Sequence, residues 1–188
     1  MKLYTIQEEF KWLEFQQTGV LKADENIICE ESFVDSYAWI EKKMQQLLTP
    51  TKIETKHPIW AWYKYNGKNK PDLRKNCHIG KGKIGYRIEF EIDDDKVLLT
   101  DFSDWHLVLN ADDYDRKLES CCIELSWFDD DPEGLEESLK KGFIKEDKII
   151  YPWTNIILEK DSKIKDIQAT LWYIDISQVI HVDKFKSR

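Results

Sequence analysis

At 188 residues, with 41% hydrophobic and 13% aromatic residues, the chain is long enough to bury one core, short for two domains, and too apolar to be disordered. Charged residues make up 34% and leave a formal net charge of −8, which argues against a general nucleic-acid coat. There is no basic and then apolar leader and no apolar run of membrane-spanning length, so a cytoplasmic protein without a membrane contact is expected.

The charge is unevenly spread. Between Lys64 and Arg87 stand eight basic residues and one acid, Asp72, a local charge of about +7 against about −15 for the remainder. That segment leaves a local anion or nucleic-acid contact open. The cysteines Cys29, Cys77, Cys121 and Cys122 are expected as reduced thiols, because a chain with its own core needs no staples and adjacent cysteines rarely bridge each other.

In chain order, Thr5 and Glu8 have the spacing of a capping box and predict a helix over 6–17, closed by Gly19. Phe33, Tyr37, Ile40, Met44, Leu47 and Leu48 recur at helical spacing until Pro50 and predict a second helix. Ile59 to Tyr65 reads as an aromatic strand, and Tyr86, Ile88, Phe90 and Ile92 alternate with Arg87, Glu89 and Glu91 as a half-buried one. Val97 to Leu99 predicts a short buried strand, after which Asp101 or Ser103 caps a helix carrying Trp105 and Leu109.

Further helices are predicted at about 115–126, at 132–141 behind the Asp131-Pro132 pair, and after Pro152. Ile167 to Ile174 alternates as a strand, and 177–185 reads as a turn and a last strand. Without regular strand–helix–strand alternation the class is α+β, a single domain with a mostly antiparallel or mixed sheet and several helices.

Gly80, Gly82 and Gly85 match a dinucleotide-binding glycine pattern, but that chemistry needs a helix after the turn and here a strand follows. Asp129, Asp131 and Glu133 open like a calcium loop, yet Lys140 stands where the closing carboxylate belongs. The histidines and cysteines lack metal-ligand spacing, so no metal is expected. Asp101, Asp104 and His106 form a candidate acid–base cluster, with capping plus an exposed histidine as the alternative.

The aromatic and basic stretch from Trp60, Trp62 and Tyr63 to Lys70, Asp72 and Arg74 is the most suggestive feature. Aromatic faces stack flat rings, a guanidinium grips a phosphate through two donors, and lysines add point charges. A buried aromatic strand followed by a solvated loop is the competing reading. Trp172, in the same strand as Gln168 and Thr170, is open to both readings.

The pieces Leu3-Tyr4-Thr5-Ile6-Gln7, Pro58-Ile59-Trp60-Ala61-Trp62, Lys70-Pro71-Asp72-Leu73-Arg74, Ile88-Glu89-Phe90-Glu91-Ile92, Trp105-His106 and Gln168-Ala169-Thr170-Leu171-Trp172 together resemble the bacterial domain-of-unknown-function family 3841. A partial similarity links the first and last segments to the ADP-ribosyltransferase fold, which implies an NAD cleft between two small sheets. Thr5 stands where that fold's opening motif has His or Arg, and Gln168 where its closing motif has Glu. On this resemblance Thr5 and Gln168 are catalytic candidates, and His106 of the acid–base cluster is a third. Tyr4 and Gln7 would border the cleft, Trp60, Trp62 or Tyr63 would stack the nicotinamide, and Arg74 would meet the diphosphate. The expectation is a domain that binds a nucleotide-like small molecule, NAD foremost. The alternative is a non-enzymatic interaction protein with no small-molecule site.

Overall fold

A computed structural model describes residues 1–24, 33–74, 78–109, 119–146 and 148–188. Cys29, Cys77, Lys75 and the first residues of the helix predicted at 115–126 lie outside these. The class is α+β, as the sequence predicts.

The chain opens with β1 (Lys2–Glu8), turns into α1 (Glu9–Thr18) and continues into the short β2 (Val20–Lys22). Thr5 therefore sits in a strand, and no side chain caps α1; the strand wins over the capping signal because all seven residues of β1 pair with β4 (Ile84–Glu91). Gly19 does close α1, at φ 75°, donating its N–H to Phe15 O. Next come α2 (Val34–Leu47), β3 (Ile59–Lys64), β4, β5 (Leu98–Asp101) and α3 (Phe102–Leu109), close to the predicted bounds.

The predicted helix at 115–126 is replaced over its described part by β6 (Ser120–Glu124) and a 3₁₀ turn, Leu125–Phe128. After α4 (Pro132–Lys141) follow β7 (Phe143–Lys145) and β8 (Lys148–Pro152), and only a 3₁₀ turn, Trp153–Ile156, stands after Pro152. The predicted strand 167–174 is two strands, β9 (Ile167–Leu171) and β10 (Tyr173–Asp175), broken at Trp172 because β10 leaves the main sheet to pair with β2. Last comes β11 (Val179–Lys186).

Six strands form one antiparallel sheet in the order β11-β4-β1-β3-β9-β5, and β6, β8 and β7 form a second. Side chains that alternate along a strand feed opposite faces of a sheet. Leu99, Ala61, Ala169, Ile88 and Phe90 thus join one core cluster with Phe15 of α1, Leu21 of β2 and Ile174 of β10. Leu98 joins the other cluster, where Ile40 and Met44 of α2, Trp105 and Val108 of α3, and Tyr151 of β8 pack together. The first cluster therefore covers one face of the six-stranded sheet, and the second covers the other face at its β5 end. No helix among the described residues is long and apolar enough to cross a membrane.

Candidate functional site

The seam between β1 and β3 is the weak point of the main sheet. These strands share a single registered pair, Tyr4 opposite Trp62, whereas β3 and β9 are registered from Ile59↔Leu171 to Lys64↔Ile167. A cleft of about 480 Å³ lies at this seam. Thr5, Ile6 and Gln7 line it from β1, the stretch Pro58 to Trp62 from β3, and Gln168 from β9; Lys11, Lys22, Asp24, His78 and Phe102 complete the wall.

Where main-chain pairing lapses, side chains bridge. Gln7 Nε2 donates to Thr5 Oγ1 at 2.8 Å, and Thr5 Oγ1 donates to Trp60 O at 3.2 Å. This relay fixes Thr5 as a strut between the two halves of the sheet.

Across the cleft, Trp62, Gln168 and Thr100 stand in register on β3, β9 and β5 and so share a sheet face. Gln168 Oε1 is buried and has no hydrogen-bond partner, and Thr100 Oγ1 shares that condition. A buried polar atom without a partner carries its desolvation penalty uncompensated, about 1–3 kcal/mol. Polar orphans of this kind mark places where a ligand or an ordered water completes the structure.

Aromatic rings build the wall beside this amide. The Trp62 ring lies 5.0 Å from Phe102 and 4.8 Å from Tyr65, and Tyr65 lies 5.2 Å from His78. Trp60 leans back on Trp105 at 5.2 Å, which ties the wall to the second core cluster. A flat ligand ring finds there an edge or a face to pack on.

Thr5, Gln7, Trp60, Trp62 and Gln168, drawn from distant parts of the sequence, are therefore brought to one cleft. The other sequence candidates are placed elsewhere. Tyr4 is buried and hydrogen-bonded to Glu89, and burial raises the pKa of its phenol. Tyr63 donates to Lys160 O at 3.3 Å. Trp172 belongs to the second core cluster and lines a separate hollow with Tyr173 and Lys96.

Four cations of the basic segment pair with acids, most of them from outside it. Arg74 binds its neighbour Asp72 through Nε and Nη2, at 2.9 and 2.6 Å, which holds the Asp72 carboxyl well below the usual carboxylate range. Lys70 lies 3.3 Å from Asp183, and Lys83 lies 2.7 Å from Glu8. Arg87 is buried, donating to Asp183 Oδ2 and to Pro71 O. None of these four cations lines the cleft.

The acid–base cluster also resolves differently. Asp101 Oδ1 caps α3 by accepting from the N–H groups of Ser103 and Asp104. Asp104 accepts from Lys141 Nζ at 2.6 Å and Tyr151 OH at 2.7 Å, while His106 Nδ1 lies 2.8 Å from Phe102 O. Burial, together with the nearby Asp104 charge, pushes the Asp101 carboxyl up. The arrangement pins α3 and α4 to the second sheet.

Sequence reading passed over Lys11, Lys22, His78 and Phe102 as site residues. Their spacing carries no signal; only the docking of α1, β2 and α3 around the seam brings them together.

A family model for a domain of unknown function, DUF3841, matches residues 2–180. The chain belongs to that family. The DUF3841 match spans the cleft from Thr5 to Gln168 and takes in both core clusters. No curated protein and no solved structure matches the chain.

Proposed function

We propose that the DUF3841 cleft binds a nucleotide-like ligand, NAD foremost, with a flat ring packed beside Trp62 and Phe102 and a polar edge presented to Gln168. The observation that carries this reading is the unpartnered Gln168 Oε1, buried in a cleft whose wall is aromatic. A carboxamide or amino group on the ring supplies the donor that this oxygen lacks. The cleft volume of about 480 Å³ falls in the range of small-molecule sites.

The residues present fit binding better than transfer. Gln168 is a neutral amide and takes no proton from an acceptor, and Thr5 is already engaged with Gln7 and Trp60. An ADP-ribosyltransferase-like arrangement is then one that holds NAD and releases nicotinamide slowly or not at all.

Titrating NAD against the protein while following tryptophan fluorescence tests the reading. A saturable quench is expected, lost in Trp62→Ala and kept in Trp172→Phe, since base–aromatic stacking contributes about 1–3 kcal/mol. No saturable response to NAD or ATP would remove the ligand site and favour an interaction protein. That alternative draws support from the burial of Trp39, Trp105, Trp153 and Trp172, which serve the core.

A further inference from the structure

Beside the cleft lies a second hollow of about 310 Å³ along α1 and β2, and the two share Lys11, Leu21, Lys22, Ala23 and Asp24 as a common wall. One hollow offers rings and the Gln168 amide; the other is lined by Glu14, Thr18 and the common wall, with Phe15 as its aromatic member. Lys11 and Lys22 are the lysines at the junction.

We infer that Lys11 and Lys22 form the phosphate-binding point of this site, and that its ligand is a phosphorylated nucleotide running from the aromatic hollow into the second one. This rests on the nucleotide reading of the cleft and assigns its anion contact. A ring lodged beside Trp62 and Gln168 directs its ribose-phosphate arm along the cleft, and the two lysines stand where the hollows meet.

Five cations of the basic segment are engaged elsewhere. Arg74 is clasped by Asp72, Lys70 and Arg87 by Asp183, and Lys83 by Glu8, while Lys64 donates to Ser162 O at 2.6 Å. The commitment of Lys11 is light: its Nζ lies 2.9 Å from Glu14 Oε2, an i,i+3 pair whose carboxylate is more than half exposed. Such a pair contributes only about 0.2–0.5 kcal/mol on a helix surface. A phosphate displaces it at little cost, because a hydrogen bond between charged partners contributes about 1.5–3 kcal/mol. Asp24 and Glu14, the acids of the same wall, leave room for a single anionic group rather than a polyanion. This argues for a free nucleotide over a nucleic-acid strand.

Calorimetric titration of ADP and of adenosine against the full chain, at low and moderate salt, tests the assignment. ADP is expected to bind at least tenfold more tightly than adenosine, with the difference shrinking as salt rises. Lys11→Ala and Lys22→Ala should each weaken ADP by roughly tenfold while leaving adenosine unchanged, and melting temperatures establish that both variants are folded. Equal affinities of wild type and both variants for ADP overturn the lysine assignment while leaving the cleft reading in place. Failure of wild type to bind either compound, or NAD, overturns both.

Discussion

At the scale of single residues, the groups that are fully satisfied differ sharply from the few that are not. Glu119 is a fully served carboxylate: it accepts from Trp39 Nε1 at 2.9 Å and from Lys42 and Lys43 at 3.0 Å each, at a backbone φ of 50°. Lys43 first, then Lys42, hold its carboxyl down at about 2, against an ordinary value of 4.5. A depressed carboxyl stabilises the fold above its unfolded pKa and loses that contribution as pH falls through the folded one. Stability should therefore decline between pH 4.5 and about 2, and Glu119→Gln should flatten this decline by about 1–2 kcal/mol after screening is allowed for. Denaturant melts of both proteins at pH 6 and pH 3 would show it; parallel losses would contradict it. The opposite case is Cys121, whose thiol burial pushes up to about 12, so that it packs as an inert apolar group.

At the scale of elements, legibility followed how local the deciding signal is. Helices α2 and α4 and strand β4 were readable because a period of 3.6 or 2 runs through each, and β3 and β5 because aromatic or apolar β-formers fill them. In α4, Asp131 also accepts from Gly134 N–H as the capping pattern requires. Strand β1 was misread because Thr5 and Glu8 imitate a helix cap, while its partners lie more than 50 residues away. Strands β6 and β8 were missed because Cys121-Cys122-Ile123 and Ile149-Ile150-Tyr151 are short apolar runs that periodicity alone does not assign. Their sheet also explains Gly142, the residue that ends α4. A Cβ there would stand 2.5 Å from the Ile150 carbonyl oxygen, which is backbone and cannot rotate away. Gly142→Ala should cost about 1–3 kcal/mol by forcing α4 off β8. An unchanged denaturant midpoint would show that the turn adapts freely.

At the scale of the whole molecule, two core clusters grip opposite faces of one six-stranded sheet, and the candidate site occupies the seam where that sheet is least zipped. Placing the cleft there joins stability to function, because residues lining a seam are freed from filling a ladder. Trp60, Trp62 and Gln168, singled out in the sequence, line this cleft. The sequence also suggested Arg74, since nothing in a linear reading shows that Asp72, two residues away, folds back to clasp the guanidinium. Lys11 and Lys22 took their place only through the packing of α1 and β2 beside β1.

Gln168→Met decides the matter most directly, because it removes the unpartnered buried amide oxygen while nearly keeping the volume. A residue held for a ligand and against stability should show opposite effects in two readouts. We expect the variant to melt higher, by about 1 kcal/mol of added stability, and to bind NAD at least tenfold more weakly by calorimetry than wild type. A variant that binds NAD as tightly as wild type, or a wild type that gives no saturable heat, would contradict a ligand site at this cleft.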